Sequence, residues 1–414
     1  MREGVKVAIV VQRYGDKVIG GAESHARNIA EHLVHDLRWE CDVYTSTAFD
    51  YQSWKPHYPQ GEEWINNVRV RRFDVKFERN RIIFGIYNRL FNRFLKIWGR
   101  SNKKKANSFF NYLQYHIEKL WFILQGPYCP RMLKDLVENS KEYQKVFFFT
   151  YLYYPVVFGL PLIGRKSVLV PTAHDEDPLY FSQIKRMFHR SDTILANCLE
   201  EKKLIEKVFK KLRSNVLLAG VGVFSENEIV SGKTRKNLPS KKSIPYLLFL
   251  GRVCAGKGVR DLIDVFLKNA ASCLCEMELH IAGPIDPEFQ QVKHSKVIFL
   301  GVVNKAEKVS LIKNAFALVN PSPRESLSLV VLEALWLKTP ILVNGENPVL
   351  AHYAQTRGSV FEYRDLAEFA EKINYLLSQE WLHSSKKALK SSSQWVQDEY
   401  SWHRVMSIYR SVAR

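Results

Sequence analysis

No two of the six cysteines form a C-x-x-C pair, and Cys273-Leu-Cys275 is too tight for a zinc or redox site. That counts against a zinc or redox site, and scattered single thiols fit a reducing cytoplasm. A G-x-G-x-x-G dinucleotide fingerprint and a complete Walker A loop are missing, which counts against a nicotinamide enzyme and an NTP hydrolase. Acids are scarce: 42 Asp+Glu face 61 Lys+Arg, a formal net charge of +19. This imbalance calls for anionic partners, whether nucleic acid, anionic lipid or phosphorylated small molecules. Long apolar runs are lacking too. The start, MREGVKVAIVVQRYG, has too short an apolar part for a signal peptide and reads as a first buried strand. Val146–Gly164 carries no charge and approaches the length of a spanning helix. Pro155, Gly159 and Pro161 interrupt it, so a buried strand followed by a loop is expected, with a shallow membrane contact left open.

What is present is the grammar of an α/β protein. A chain of 414 residues exceeds one ordinary core, and 46% hydrophobic with 13% aromatic residues suits a globular protein. Apolar strands are expected at Val5–Val11, Cys41–Thr45, Val68–Phe73, Val146–Thr150, Ser167–Pro171 and Thr193–Ala196, with helices between them, the first from Ala22 to about Leu33. After a polar stretch at Ser225–Ser243, read as a linker region, the alternation restarts. Strands are expected at Tyr246–Leu250, Met277–Ala282, Val297–Leu300, Ala315–Asn320 and Pro340–Val343, and helices at about 258–269, 305–314, 326–337 and 347–355. The expected architecture is two doubly wound Rossmann-like domains facing across a cleft at the carboxyl ends of the strands. The first spans residues 1–230, rejoined by a C-terminal helix at 398–414, and the second spans 231–397.

Residues 76–105 hold ten Lys/Arg and one acid, Glu78, interleaved with Phe77, Ile82, Ile83, Phe84, Ile86, Leu90, Phe91, Phe94, Leu95, Ile97 and Trp98. A basic amphipathic helix of this kind lies on an anionic membrane surface; an ordinary packed helix with a solvated basic face is the competing explanation. Nucleic-acid binding is not expected, because no recognised module accompanies the charge.

Four stretches fall at strand ends. Gly20-Gly21-Ala22-Glu23 opens a helix, where glycines let a ligand approach the backbone and the helix dipole favours an anion; a plain turn would look the same. Gly251-Arg252-Val253-Cys254-Ala255-Gly256-Lys257-Gly258 places a guanidinium and an ammonium on a glycine-rich loop, able to neutralise a diphosphate or simply to be solvated. In Arg324-Glu325-Ser326-Leu327-Ser328 through Glu333, Glu325 is expected at a helix mouth and Glu333 two turns deeper, roughly 12 Å along the axis. The amides of Ser326, Leu327 and Ser328 would meet phosphate, Glu325 sugar hydroxyls, and Glu333 both hydroxyls of a ribose. A buried carboxylate needs donors, and on this reading the ligand supplies them to Glu333. Ordinary roles as a helix-start acid and an exposed glutamate stay open. His174, in Thr172-Ala173-His174-Asp175-Glu176-Asp177-Pro178, is a candidate polar contact or a histidine bonded within the fold. The acids at 175–177 nominally match a metal-binding D-x-D, but they precede Pro178 and a helix-like stretch, where acids favour a helix start. No metal site is expected.

Together these stretches resemble the retaining glycosyltransferases of family four, which have the GT-B fold. The resemblance runs over nearly the whole chain and is strongest at about 246–345. Glu325 and Glu333 match the family's E-x7-E motif, Arg252 and Lys257 its Arg/Lys pair, and GGAE and His174 have counterparts. The resemblance implies that Gly20, Gly21, Arg252 and Lys257 bind the donor diphosphate, that Glu325 binds the donor sugar and Glu333 the ribose, and that His174 lies beside the reacting sugar. It implies no metal and no cofactor beyond the nucleoside-diphosphate sugar. One departure is Ser328, where the family commonly has glycine. QRYG (Gln12–Gly15), QGPY (Gln125–Tyr128) and TYLYYP (Thr150–Pro155) are similar to a bacterial subgroup in surface-polysaccharide or lipid-linked glycan assembly, and are expected to shape the acceptor site.

The expectation is therefore an enzyme moving a sugar to a lipid-linked or saccharide hydroxyl with retention. It would be cytoplasmic, held on the inner face of the cell membrane through 76–105. A GT-B nucleotide-sugar epimerase or hydrolase, and a catalytically silent membrane-associated scaffold, are the alternatives.

Overall fold

The computed structural model describes residues 4–18, 20–101, 108–223, 244–270, 274 and 276–413. The expected linker at 225–243 and the expected domain boundary at 230/231 lie outside the described residues. The chain divides into two compact units, Met1–Gly220 with Met406–Arg414, and Val221–Val405.

The first unit runs β1 (Lys6–Val10), α1 (Gly21–His35), β2 (Glu40–Ser46), β3 (Gly61–Ile65), β4 (Val68–Phe73), α2 (Arg81–Ser101), α3 (Ser108–Gln125), α4 (Pro130–Asn139), β5 (Lys145–Phe149), α5 (Tyr154–Ile163), β6 (Ser167–Val170), α6 (Ser182–Arg190), β7 (Thr193–Ala196), α7 (Leu199–Val208) and β8 (Asn215–Leu218). Its sheet has the order β3-β4-β2-β1-β5-β6-β7-β8. All neighbours pair in parallel except β3, antiparallel to β4 at the edge. The chain leaves β1 in one direction and returns through β5 in the other, so strand order reverses between them. The central strands are continuous apolar runs because helices cover both faces.

The second unit runs β9 (Tyr246–Leu250), α8 (Val259–Asn269), β10 (Glu278–Ala282), β11 (Val297–Gly301), α9 (Lys305–Asn314), β12 (Ala317–Asn320), α10 (Leu329–Trp336), β13 (Ile341–Asn344), α11 (Pro348–Thr356), β14 (Val360–Tyr363), α12 (Leu366–Leu377) and α13 (Gln379–Tyr400); α14 (Trp402–Ala413) then carries the chain back into the first unit. The sheet order is β11-β10-β9-β12-β13-β14, parallel throughout. Order reverses between β9 and β12, the place where open α/β sheets form a ligand crevice. In α14, Trp402, Met406 and Tyr409 are buried.

Two expectations change. Val146–Gly164 is a strand followed by helix α5, not by a loop: Pro155 stands in the first turn, where its missing N–H is harmless, and Gly164 ends the helix at φ 64°. Helix α10 begins at Leu329 rather than 326, because Ser328 adopts the left-handed conformation, φ 61°, which a right-handed helix cannot contain.

Helix α2 is apolar on two sides. Phe84, Tyr87, Phe91 and Leu95 pack into the first unit's core, while Ile82, Ile83, Ile86 and Leu90 are exposed at 75%, 55%, 55% and 61% beside exposed Arg81, Arg89 and Arg93. The helix is held to α3 by Trp121 Nε1 donating to Asn88 Oδ1 (2.8 Å) and by the Tyr87 hydroxyl donating to the Ile117 carbonyl (2.8 Å). The buried Glu118 of α3 in turn accepts from the Ser182 amide, the Ser182 hydroxyl and the Gln183 amide (2.7–3.0 Å), capping α6. Residues 102–105 of the basic segment lie outside the described residues. Among the described residues, no helix is long and apolar enough to cross a membrane.

Candidate functional site

At the reversal point of the second sheet, two loops leave adjacent strands. The loop after β9 carries Arg252, which is half-buried, and a short 3-10 turn, Ala255–Lys257, that presents Lys257. Gly258 ends that turn at φ +69°, and a Cβ there would stand 2.4 Å from the Pro321 carbonyl oxygen of the second loop. Only glycine permits both the left-handed backbone and this approach. The two loops are joined by an ion pair: Lys257 Nζ donates to Glu325 Oε1 at 2.7 Å.

The second loop, Pro321–Ser328, is wired by polar side chains that the sequence did not mark. Asn320 accepts from the Ser322 amide (3.1 Å) and donates to the Ser328 hydroxyl (2.7 Å). Asn344 donates to the Pro321 carbonyl (3.1 Å), and the Tyr353 hydroxyl to the Leu327 carbonyl (2.9 Å). Leu327 and Ser328 are buried, and Ser326 is half-buried. Glu325 is thus not at a helix mouth but four residues before α10, so the helical distance expected between it and Glu333 does not apply. The amides of Ser326, Leu327 and Ser328 belong to the loop rather than to the helix N-terminus. The left-handed Ser328 also gives a physical reason for a preference for glycine at this position: serine carries backbone strain there, partly offset by its bond to Asn320.

Glu333 is in α10 with 13% of its side chain exposed. It is not short of a protein donor, contrary to expectation. Lys308, from the first turns of α9, donates to its Oε1. No spacing pattern pointed to Lys308, since its partner is 25 residues away on a different helix.

In the first unit, Gly20 caps the N-terminus of α1 with extended backbone. A Cβ on Gly20 would meet Glu23 Oε2 at 2.2 Å, because Glu23 folds back over it. Glu23 is buried and accepts from Gln12 Nε2 (2.9 Å) and Arg13 Nε (2.9 Å), so GGAE is tied to QRYG through a buried ion pair. Gly21, by contrast, has open space where a Cβ would stand.

His174 is half-buried on the loop after β6. Its neighbour Ala173 donates its amide to Glu201 Oε1 (2.5 Å), and Asn197 donates its amide to Glu201 Oε2 (2.6 Å). One buried carboxylate thus clips the loops after β6 and β7. Burial pushes the Glu201 carboxyl up to about 7, against the two backbone N–H bonds that pull it down. Of the acids beside His174, Asp175 accepts from the Tyr180 hydroxyl (2.7 Å) and Glu176 from the Tyr151 hydroxyl.

Residues 244–379 match the family model of group 1 glycosyl transferases. That segment contains Arg252, Lys257, Lys308, Glu325 and Glu333. Glycosyltransferase 1 domain-containing protein 1 of Xenopus tropicalis is 26% identical over 144 residues, 32% of this chain and 40% of its own. The chain spans less than half the length of the curated relatives it matches. Sucrose-phosphate synthase of Thermosynechococcus elongatus is 16% identical with a TM-score of 0.61, covering 99% of both chains. Anabaena HepE, solved with UDP and glucose, is 16% identical with a TM-score of 0.63, covering 99% of this chain and 98% of its own. The fold is GT-B. Within it, the group 1 match falls on the second unit, whose reversal point carries the Lys257–Glu325 pair.

Proposed function

We propose that this GT-B protein is a glycosyltransferase that moves a sugar from a nucleoside-diphosphate donor to a lipid-linked or saccharide hydroxyl, with retention of anomeric configuration and without a metal ion. The observation that carries this reading is the Lys257–Glu325 pair at the β9/β12 reversal point, with Arg252 on the same glycine loop. The ammonium and the carboxylate satisfy each other. A nucleotide sugar offers both of them better partners: a diphosphate for Lys257 and Arg252, and sugar hydroxyls that donate to Glu325. The family match over 244–379 and the binding of UDP and glucose by HepE support the same ligand class.

In the reaction, the bond from the anomeric carbon to the diphosphate oxygen breaks, and a bond to the acceptor oxygen forms on the same face of the sugar. The acceptor proton passes to the leaving diphosphate. Arg252 and Lys257 stabilise the negative charge that grows on that leaving group, the electrostatic term that usually dominates such catalysis. The reading assigns Gly20, Gly21 and the Ser326–Ser328 loop to the diphosphate, His174 to the reacting sugar and Glu333 to the ribose.

The exposed stripe Ile82, Ile83, Ile86 and Leu90, flanked by Arg81, Arg89 and Arg93, supports seating on an anionic membrane surface. On this reading the protein works at the membrane, in surface glycan assembly with a lipid-linked or saccharide acceptor. The decisive assay follows sugar transfer and released nucleoside diphosphate with wild type and Lys257→Ala. Turnover should fall by about a hundredfold or more while the melting temperature stays close to wild type. Near-normal turnover in the variant overturns the assignment.

A further inference from the structure

Glu333 is the carboxylate this reading gives to the ribose, and the protein already holds it. Lys308 donates to Oε1, leaving the second oxygen and further lone pairs to accept from a diol. Lys308 itself stands on a rigid base. Helix α9 starts with a reciprocal capping box: Glu307 donates its amide to Asn304 Oδ1 and accepts from the Asn304 amide, both at 2.9 Å. The buried Glu307 is the residue next to Lys308. At its other end α9 is pinned by the Tyr246 hydroxyl on the Leu311 carbonyl and the Thr339 hydroxyl on the Ile312 carbonyl, each 2.7 Å. The lysine is therefore delivered to Glu333 by an element whose two ends are fixed.

We infer that Lys308 is a positioning residue that orients and neutralises Glu333, and so sets the preference for a ribonucleotide over a 2′-deoxyribonucleotide. The inference rests on the nucleotide-sugar reading above. Two physical effects carry it. A diphosphate brought close to an uncompensated, largely buried carboxylate is repelled, and Lys308 removes that charge. A carboxylate fixed through one oxygen presents the other in one orientation, and a site built around a hydroxyl discriminates strongly against the analogue that lacks it. A free glutamate would rotate and discriminate poorly.

The test measures dissociation constants of UDP, GDP and ADP and of their 2′-deoxy forms for wild type, Lys308→Met, Lys308→Gln and Lys308→Arg, with melting temperatures alongside. Wild type should favour the ribonucleotide by about tenfold or more. In Lys308→Met and Lys308→Gln repulsion of the diphosphate should weaken both forms, and loss of the oriented contact should weaken the ribonucleotide further, so the ratio falls toward one. Lys308→Arg should restore most of it. A purely structural lysine would weaken both nucleotides alike. Preference preserved in folded Lys308→Met or Lys308→Gln overturns this inference alone. If wild type binds no nucleoside diphosphate, the donor reading and this inference fail together.

Discussion

Glu201 and His25 are buried groups whose charges burial disfavours, with opposite consequences for stability. The Glu201 carboxyl is raised from 4.5 to about 7, so the folded protein holds its proton more tightly than the unfolded chain does. Its contribution is fully present below about 4.5 and is lost as pH rises through about 7. His25, in α1 and edge-on to Phe149 at 5.2 Å, is lowered from 6.5 to about 3 by burial. Its contribution is present above about 6.5 and is lost as pH falls toward 3. Glu201→Gln separates the two, because the histidine effect is common to both proteins. From pH 5 to pH 7.5, wild type should lose more stability than Glu201→Gln in urea unfolding. Parallel pH dependences would show that Glu201 does not take up a proton in this range. Neither Glu201 nor Lys308 stood out in the sequence. LEEKKLIEKV and KAEKVSLIKN are charge-rich helices, and a pairing across the fold leaves no mark in local spacing.

At the scale of elements, α2 carries the sharpest prediction. Its inner face is fixed by Phe84, Tyr87 and Phe91, so substitutions on the outer stripe leave packing alone. Wild type should co-sediment with vesicles containing anionic lipid at low salt, and Ile86→Asp with Leu90→Asp should release it without lowering the melting temperature. Equal sedimentation of both proteins, or none by wild type, rejects the membrane seat. The same scale shows which strands were legible. Central strands such as β1, β5, β9 and β12 are continuous apolar runs, visible in any window. The three strands missed, β3, β8 and β14, are all sheet edges. An edge has fewer neighbours to bury it: β3 reads GEEWI, with Trp64 71% exposed, and β8 alternates exposed with partly buried residues. The start of α10 was misplaced for a different reason. RESLSLVVLEA continues a helical pattern through Ser328, and the left-handed turn there depends on Asn320, eight residues earlier. The candidate motif residues stand out in the sequence because loop chemistry is local: glycines, a lysine and an acid at strand ends.

Across the whole molecule, both units reverse strand order at one point, and several of the stretches singled out in the sequence follow the strands at those points, while the His174 stretch follows β6. GGAE and TYLYYP follow β1 and β5; the Arg252–Lys257 and Pro321–Ser328 loops follow β9 and β12. The surplus of positive charge, +19 overall, suits a protein whose proposed ligands are a diphosphate and an anionic surface. The central claim is that the second unit binds a nucleotide sugar through Lys257, Glu325 and Glu333. Thermal unfolding in the presence of UDP, GDP, ADP and their common sugar conjugates, without metal, tests it most directly. A ligand at a hundred times its dissociation constant adds about 2.7 kcal/mol to stability, a rise of roughly a few degrees for a protein of this size. The account predicts such a rise for one base, lost in Glu333→Ala; no rise with any nucleotide at millimolar concentration would contradict it.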